Sequence, residues 1–123
     1  MIDSTMMSWL NAHATARPVF KPEETGYPAL SYRMISWTED ENHDGGCGIQ
    51  EVHYQIAVHE TNHGRCMALT RAVVADLKSK DDALTTEGGI VYHVRVTNVV
   101  DLGHYPEWNA WQCMIDAIAY VKE

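Results

Sequence analysis

Cysteine is scarce in this sequence. Cys47, Cys66 and Cys113 are odd in number and far apart, which argues against a disulfide framework. Cys66 falls on an apolar helical stripe and Cys113 in an expected strand, so buried free thiols are the reading. Basic residues are also few: 9 Lys and Arg against 17 Asp and Glu, a formal net charge of -8. They are scattered singly, so no patch is expected to grip a phosphate backbone. A face that concentrated the negative charge would repel nucleic acid. No apolar run approaches the ~20 residues of a membrane span. Met1-Ile-Asp-Ser-Thr5 has neither the basic start nor the apolar stretch of a signal peptide, so a cytoplasmic, reducing site of synthesis is expected. There is no phosphate-binding glycine loop and no G-x-S-x-G elbow. Internal repeats, low-complexity segments and linkers are missing too.

What is present is one domain's worth of patterned chain. A length of 123 residues suits a single core that buries roughly two-thirds of the unfolded surface. The clearest signal is a change of period. Val52, Tyr54, Ile56 and Val58 alternate with His53, Gln55 and His59, as on a strand with one buried face. After Asn62 the apolar positions are Cys66, Leu69, Val73 and Leu77, flanked by Met67 and Val74, as on an amphipathic helix of about 63–79. Ile2 to Ala14 reads as a short first helix, and Pro18-Val-Phe-Lys-Pro22 as an extended piece. Ala29 to Thr38 reads as a strand, with Leu30, Tyr32 and Met34 alternating against Ser31, Arg33 and Ile35. Glu39 to Gly48 is an acidic, glycine-rich loop or wide hairpin. Lys80 to Gly89 is a polar connection. Ile90, Tyr92, Val94 and Val96 mark a third strand, and Asp101 to Asn109 a loop. Ala110 to Val121 has two readings: Trp111, Cys113, Ile115, Ala117, Ala119 and Val121 alternate as on a strand, whereas Trp111, Ile115, Ile118 and Val121 also suit a helix. The strand is favoured because it can pair with strand 90–100. The expected fold is α+β, a mainly antiparallel sheet of about four or five strands packed with one long and one short helix.

Two motif matches name functions that their context opposes. His59-Glu60-Thr61-Asn62-His63 spells H-E-x-x-H. In zinc metalloproteases both histidines ligate from one helical face and the glutamate is the general base. Here His59 belongs to the preceding strand, Thr61 and Asn62 are natural helix caps, and the two histidines would not share a face. A third ligand is unassigned; His93 and His104 are the remaining candidates. Asp40, Asn42, Asp44, Gly45 and Glu51 match the calcium-loop pattern D-x-[DN]-x-[DN]-G-x5-E. An EF-hand needs a helix on each side, and strands flank this loop. A weak calcium site and a solvated acidic turn are the two readings. A Cys–His pair is a further candidate, with His53 or His93 beside Cys113 across the sheet. Tyr105, Trp108 and Trp111 form either a core edge or an interface anchor.

Read end to end, the segment order resembles the tail terminator (tail completion) proteins of long-tailed bacteriophages and prophages. The likeness runs through the short first helix, Pro18-Val-Phe-Lys-Pro22, the strand opening at Gly26-Tyr-Pro-Ala-Leu-Ser-Tyr32, and the long strand Ile49 to His59. That strand leads into a helix of the form Ala68-Leu-Thr-Arg-Ala-Val-Val-Ala-Asp-Leu77, and strands at 90–96 and 110–121 follow. The resemblance implies a structural job without catalysis or cofactor. Such proteins form a ring, usually a hexamer, on the finished end of a tail tube. The ring stops polymerisation and makes the surface that joins the head-completion or connector protein. DNA passes through the ring without sequence-specific binding. The chain would be found in the host cytoplasm during assembly and then in the virion tail, away from membranes. Glu39, Asp40, Glu41 and Asp44, with Tyr105 and Trp108, would be interface residues.

Three readings follow, in this order: a tail-capping ring, a small ligand-binding or adaptor domain with calcium at 40–51, and a zinc hydrolase using His59, Glu60 and His63.

Overall fold

The computed structural model describes residues 2–18, 26–39, 49–86 and 89–122. Its elements are α1 (Ile2–Asn11), β1 (Thr15–Arg17), β2 (Ala29–Glu39), β3 (Gln50–Glu60), α2 (His63–Lys78), β4 (Asp81–Thr86), β5 (Gly89–Tyr105) and β6 (Ala110–Lys122). They form an α+β fold built on one sheet in the order β1-β2-β3-β6-β5-β4. All pairings are antiparallel except the three-residue β1 against β2.

The change of period at Asn62 becomes the turn from β3 into α2. Asn62 has an extended backbone, and its side chain accepts the Arg65 N–H at 3.1 Å. That satisfies one of the donors left open in a first helical turn. Cys66, Thr70, Val73 and Leu77 then form the buried stripe of α2, at the three- and four-residue steps of a helix with one apolar face. The helix crosses β3, β6 and β5 on its way to β4 at the far edge. It therefore covers one face of the sheet. Under it lie Val52, Tyr54, Ile56 and Val58 of β3 and Cys113, Ile115, Ala117, Ala119 and Val121 of β6, each at most 2% exposed. Burying one Val, Leu or Ile completely stabilises by about 1.5–3 kcal/mol, so this layer carries most of the fold's apolar stabilisation. Helix α1 adds Met6 and Leu10 to the same core. It is held to β4 by a hydrogen bond from Thr5 Oγ1 to Thr86 Oγ1 at 3.0 Å.

The last segment is a strand along its whole length. Four expectations change. Helix α1 stops at Asn11, whose side-chain oxygen accepts the Ala16 N–H and turns the chain into β1. The polar connection 80–89 contains β4, a strand that pairs with β5. Strand β5 runs on to Tyr105, so most of the expected loop 101–109 is strand and only 106–109 turns. The phase of β5 also shifts at Tyr92, where the register is irregular, and Val91 and Val94 are the buried pair rather than Ile90 and Tyr92.

Candidate functional site

The H-E-x-x-H residues are split between two elements and two faces. His59 and Glu60 end β3, Thr61 and Asn62 turn, and His63 opens α2. His59 stands opposite Ala29 and Gln112, on the sheet face away from α2. It is only 3% exposed, and its ring meets that of Trp108 edge-on with ring centres 6.0 Å apart. Its Nδ1 lies 3.2 Å from Gln112 Nε2 and its Nε2 lies 3.1 Å from Ser31 Oγ. With Gln112 donating to Nδ1, the ring proton sits on Nε2 and is donated to Ser31. Burial lowers the His59 pKa to about 4, so the ring is neutral and both nitrogens are engaged. Glu60 Oε1 accepts from Thr61 N–H at 2.8 Å and Thr61 Oγ1 at 3.1 Å. His63, on the α2 side, meets Asp101 at 2.9 Å and lies 4.7 Å from Trp111 between ring centres. That hydrogen bond, with the Gly103 N–H, holds the Asp101 carboxyl below its usual range. Among the described residues, no three His, Cys, Asp or Glu side chains converge as metal ligands.

Among the described residues, Cys66 and Cys113 make no nucleophilic pair with histidine. Cys113 points under α2, where its Sγ lies 3.8 Å from Cys66 Sγ and 3.4 Å from Met67 Sδ. Burial pushes the Cys66 thiol up to about 12, and the neighbouring Cys113 adds to the rise. His53 and His93 stand opposite Ile118 and Tyr120, on the other face. Of the calcium-loop match, Asp40, Asn42 and Asp44 lie outside the described residues, as does Glu41. Glu51 is in β3, paired with Thr38 and Tyr120, and Glu39 is the last residue of β2. Tyr105 ends β5 and packs on Trp108 with ring centres 4.8 Å apart. The Trp108 carbonyl accepts the Tyr27 hydroxyl at 2.7 Å, so this turn is tied back to the approach to β2.

The features that stand out are two stretches of strand edge without a neighbouring strand among the described residues. Strand β4 covers β5 only as far as His93, so the part of β5 from Arg95 to Tyr105 pairs with β6 alone. Val99, Val100, Leu102 and Tyr105 are exposed there. On the opposite edge β1 covers β2 from Ala29 to Ser31, and among the described residues the stretch from Arg33 to Glu39 pairs with β3 alone. Ile35 and Trp37 are 49% and 53% exposed on it. The antiparallel register places these stretches at diagonally opposite corners of the sheet. Open edges present unpaired N–H and C=O groups and are templates for another strand. Both are interrupted by register shifts, at Ile35 in β2 and at Thr97 and Leu102 in β5, which restrict how a partner strand fits.

A groove of about 390 Å³ opens beside the uncovered part of β5, between Val99 and the Met67, Thr70, Arg71, Val74, Ala75 and Lys78 side of α2. A smaller hollow of about 290 Å³ lies on the other face, among Ser31, Tyr32, Arg33, Gln55, Ala57 and Met114. Neither Trp37 nor the groove stood out in the sequence. The available signal was a large aromatic at the end of a strand, beyond the last alternating core position.

The fold is shared with a chain in the virion of a native gene transfer agent particle: the TM-score is 0.68 at 11% identity, over 98% of this chain and 87% of that one. No protein-family model and no curated protein matches the sequence.

Proposed function

We propose that this protein is a structural subunit of a phage-like virion, and that it forms the ring that caps a tail tube. The observation that carries the reading is the pair of sheet edges, on opposite sides of one sheet, that are open among the described residues. Two different surfaces that meet head to tail generate a ring when the rotation closes, and open strand edges join chains through backbone hydrogen bonds. The fold shared with a virion chain supports the setting, and the segment order supports the tail-terminator role. The partners are then copies of this chain, the tube protein and the head-completion protein. The host cytoplasm is where assembly takes place, and the virion tail is its destination. A net charge of -8 suits a channel that lets DNA pass without holding it. The work is geometric, and no catalytic group is assigned.

Native mass spectrometry and electron microscopy of the purified protein, alone and with tail tubes, test the reading. The expected result is a sixfold ring, free or seated on tube ends. A protein that stays monomeric and leaves tube ends bare would overturn it.

A further inference from the structure

We propose that the thiols of Cys66 and Cys113, with the thioether of Met67, bind one soft monovalent metal ion, copper(I), between α2 and β6. The site stands independently of the ring reading. Geometry comes first. Cys66 belongs to the buried stripe of α2, Cys113 lies in β6 beneath it, and both are free and fully buried. The Cys113 Sγ is 3.8 Å from the Cys66 Sγ and 3.4 Å from the Met67 Sδ. Sulfurs bound to one ion at about 2.3 Å stand roughly 3.8–4.0 Å apart, so the three need to move by only about half an ångström.

Donor chemistry comes second. Thiolate and thioether ligands select copper(I), whereas imidazole and carboxylate suit harder ions. Among the described residues no three His, Cys, Asp or Glu side chains gather, so zinc, magnesium and calcium find no matching set here. The charge also balances. The ion takes the place of one thiol proton, which leaves to solvent, and no electron is transferred. The buried layer therefore keeps its net charge, which avoids the cost of a bare thiolate away from water. The Asp101 carboxylate acts on Cys66 through space and favours a cation there.

Access comes third. Met67 is half-buried and lines the α2–β5 groove, while its sulfur touches the closed-off Cys113. An entering ion meets the thioether first and passes from it to the thiols. Once bound, it ties α2 to β6. Cysteine and methionine also pack as adaptable apolar side chains, and a cluster that only fills space is the outcome from which the test must separate this site.

The test is an oxygen-free titration of the reduced, full-length protein with copper(I) against a chromophoric copper(I) chelator. Cys47→Ser is carried throughout, so that Cys66 and Cys113 are the only thiols. The expected result is one ion per chain by native mass spectrometry, three sulfur neighbours by X-ray absorption, and a higher unfolding temperature, because the ion binds the folded state. Met67→Leu nearly conserves volume and keeps the fold. It should remove one sulfur neighbour and weaken binding at least about tenfold, since even the outer partners of a metal site are worth about 10–100-fold. Chains that yield all their copper to the chelator overturn the site. Met67→Leu with unchanged affinity and unchanged sulfur neighbours also overturns it. A lower unfolding temperature with copper overturns it as well, since the thiols would then be reached only in the unfolded chain. Zinc held as tightly as copper(I) overturns the assignment to a soft ion.

Discussion

Strand β6 carries Ile115 and Ile118 three residues apart, one on each face of the sheet. Ile115 is fully buried beneath α2, between Ile56 and Val99. Ile118 is half-buried on the open face, between His53 and Arg95. The same side chain thus meets a closed apolar layer on one side and a row of titratable and polar neighbours on the other. The covered face holds the chain folded. The open face makes few demands on its residues, and its neighbours along β3 read Glu51, His53, Gln55 and Ala57. Among the described residues, every exposed large apolar side chain except Met7 on α1 lies along one of the two outer stretches of β2 and β5. On the ring reading, stability and association would be carried by different parts of one sheet, so that a subunit could fold before it meets its neighbours.

The largest expected effect is on the covered face. Ile115→Ala should cost about 2–5 kcal/mol, the usual range for removing a buried isoleucine and leaving a cavity. Urea unfolding would read this as a lower midpoint at an unchanged slope. A loss below about 1 kcal/mol would break the comparison, since it would mean that α2 does not close over β6.

His59 is the exception that sharpens the comparison, because it lies on the face away from α2 and is nevertheless buried. Its folded pKa of about 4 lies below the ordinary 6.5, so the unfolded chain takes up the proton first. The stability that His59 contributes is therefore fully present above pH 6.5 and is lost as the pH falls towards 4, by about 3 kcal/mol. His59→Gln should flatten that part of a stability–pH profile. A variant that follows the wild-type curve between pH 6.5 and 4 would show that the turn carrying Trp108 does not seal the ring from water.

These contrasts also mark where the sequence was readable. The alternation Val52–Val58, the stripe Cys66–Leu77 and the cap at Asn62 were legible because each uses one local period and one buried face. The α+β class and its two helices followed from them. Strand β4 was hidden because Asp81, Asp82, Thr85 and Thr86 have no apolar period, and the strand exists through its ladder with β5. Strand β5 was misphased because register shifts at Tyr92, Thr97 and Leu102 each reset the alternation. The end of β5 looked like a loop because Asp101 and Gly103 are turn residues. Here they serve a bulge, with Gly103 at φ 81° and its N–H donating to Asp101 Oδ1 at 2.9 Å. The candidate site was least legible. An open edge depends on where the adjacent strand stops, and neither β1 nor β4 was visible as a strand.

The smallest expected effect closes the comparison. Ile118→Ala removes the same atoms as Ile115→Ala, but from a face where they are only half covered and where solvent can fill the space. No sealed cavity forms, so the cavity penalty that raises the cost at Ile115 does not apply. The change should cost about 1 kcal/mol or less. The pair of variants controls for side-chain volume, β propensity and strand position together, which leaves burial as the difference between them. If Ile118→Ala proves as costly as Ile115→Ala in the dilute single chain, the face away from α2 is covered after all. If the two costs converge only under conditions where the protein associates, the cover comes from a neighbouring subunit. The open face would then belong to the assembly as much as the two edges do.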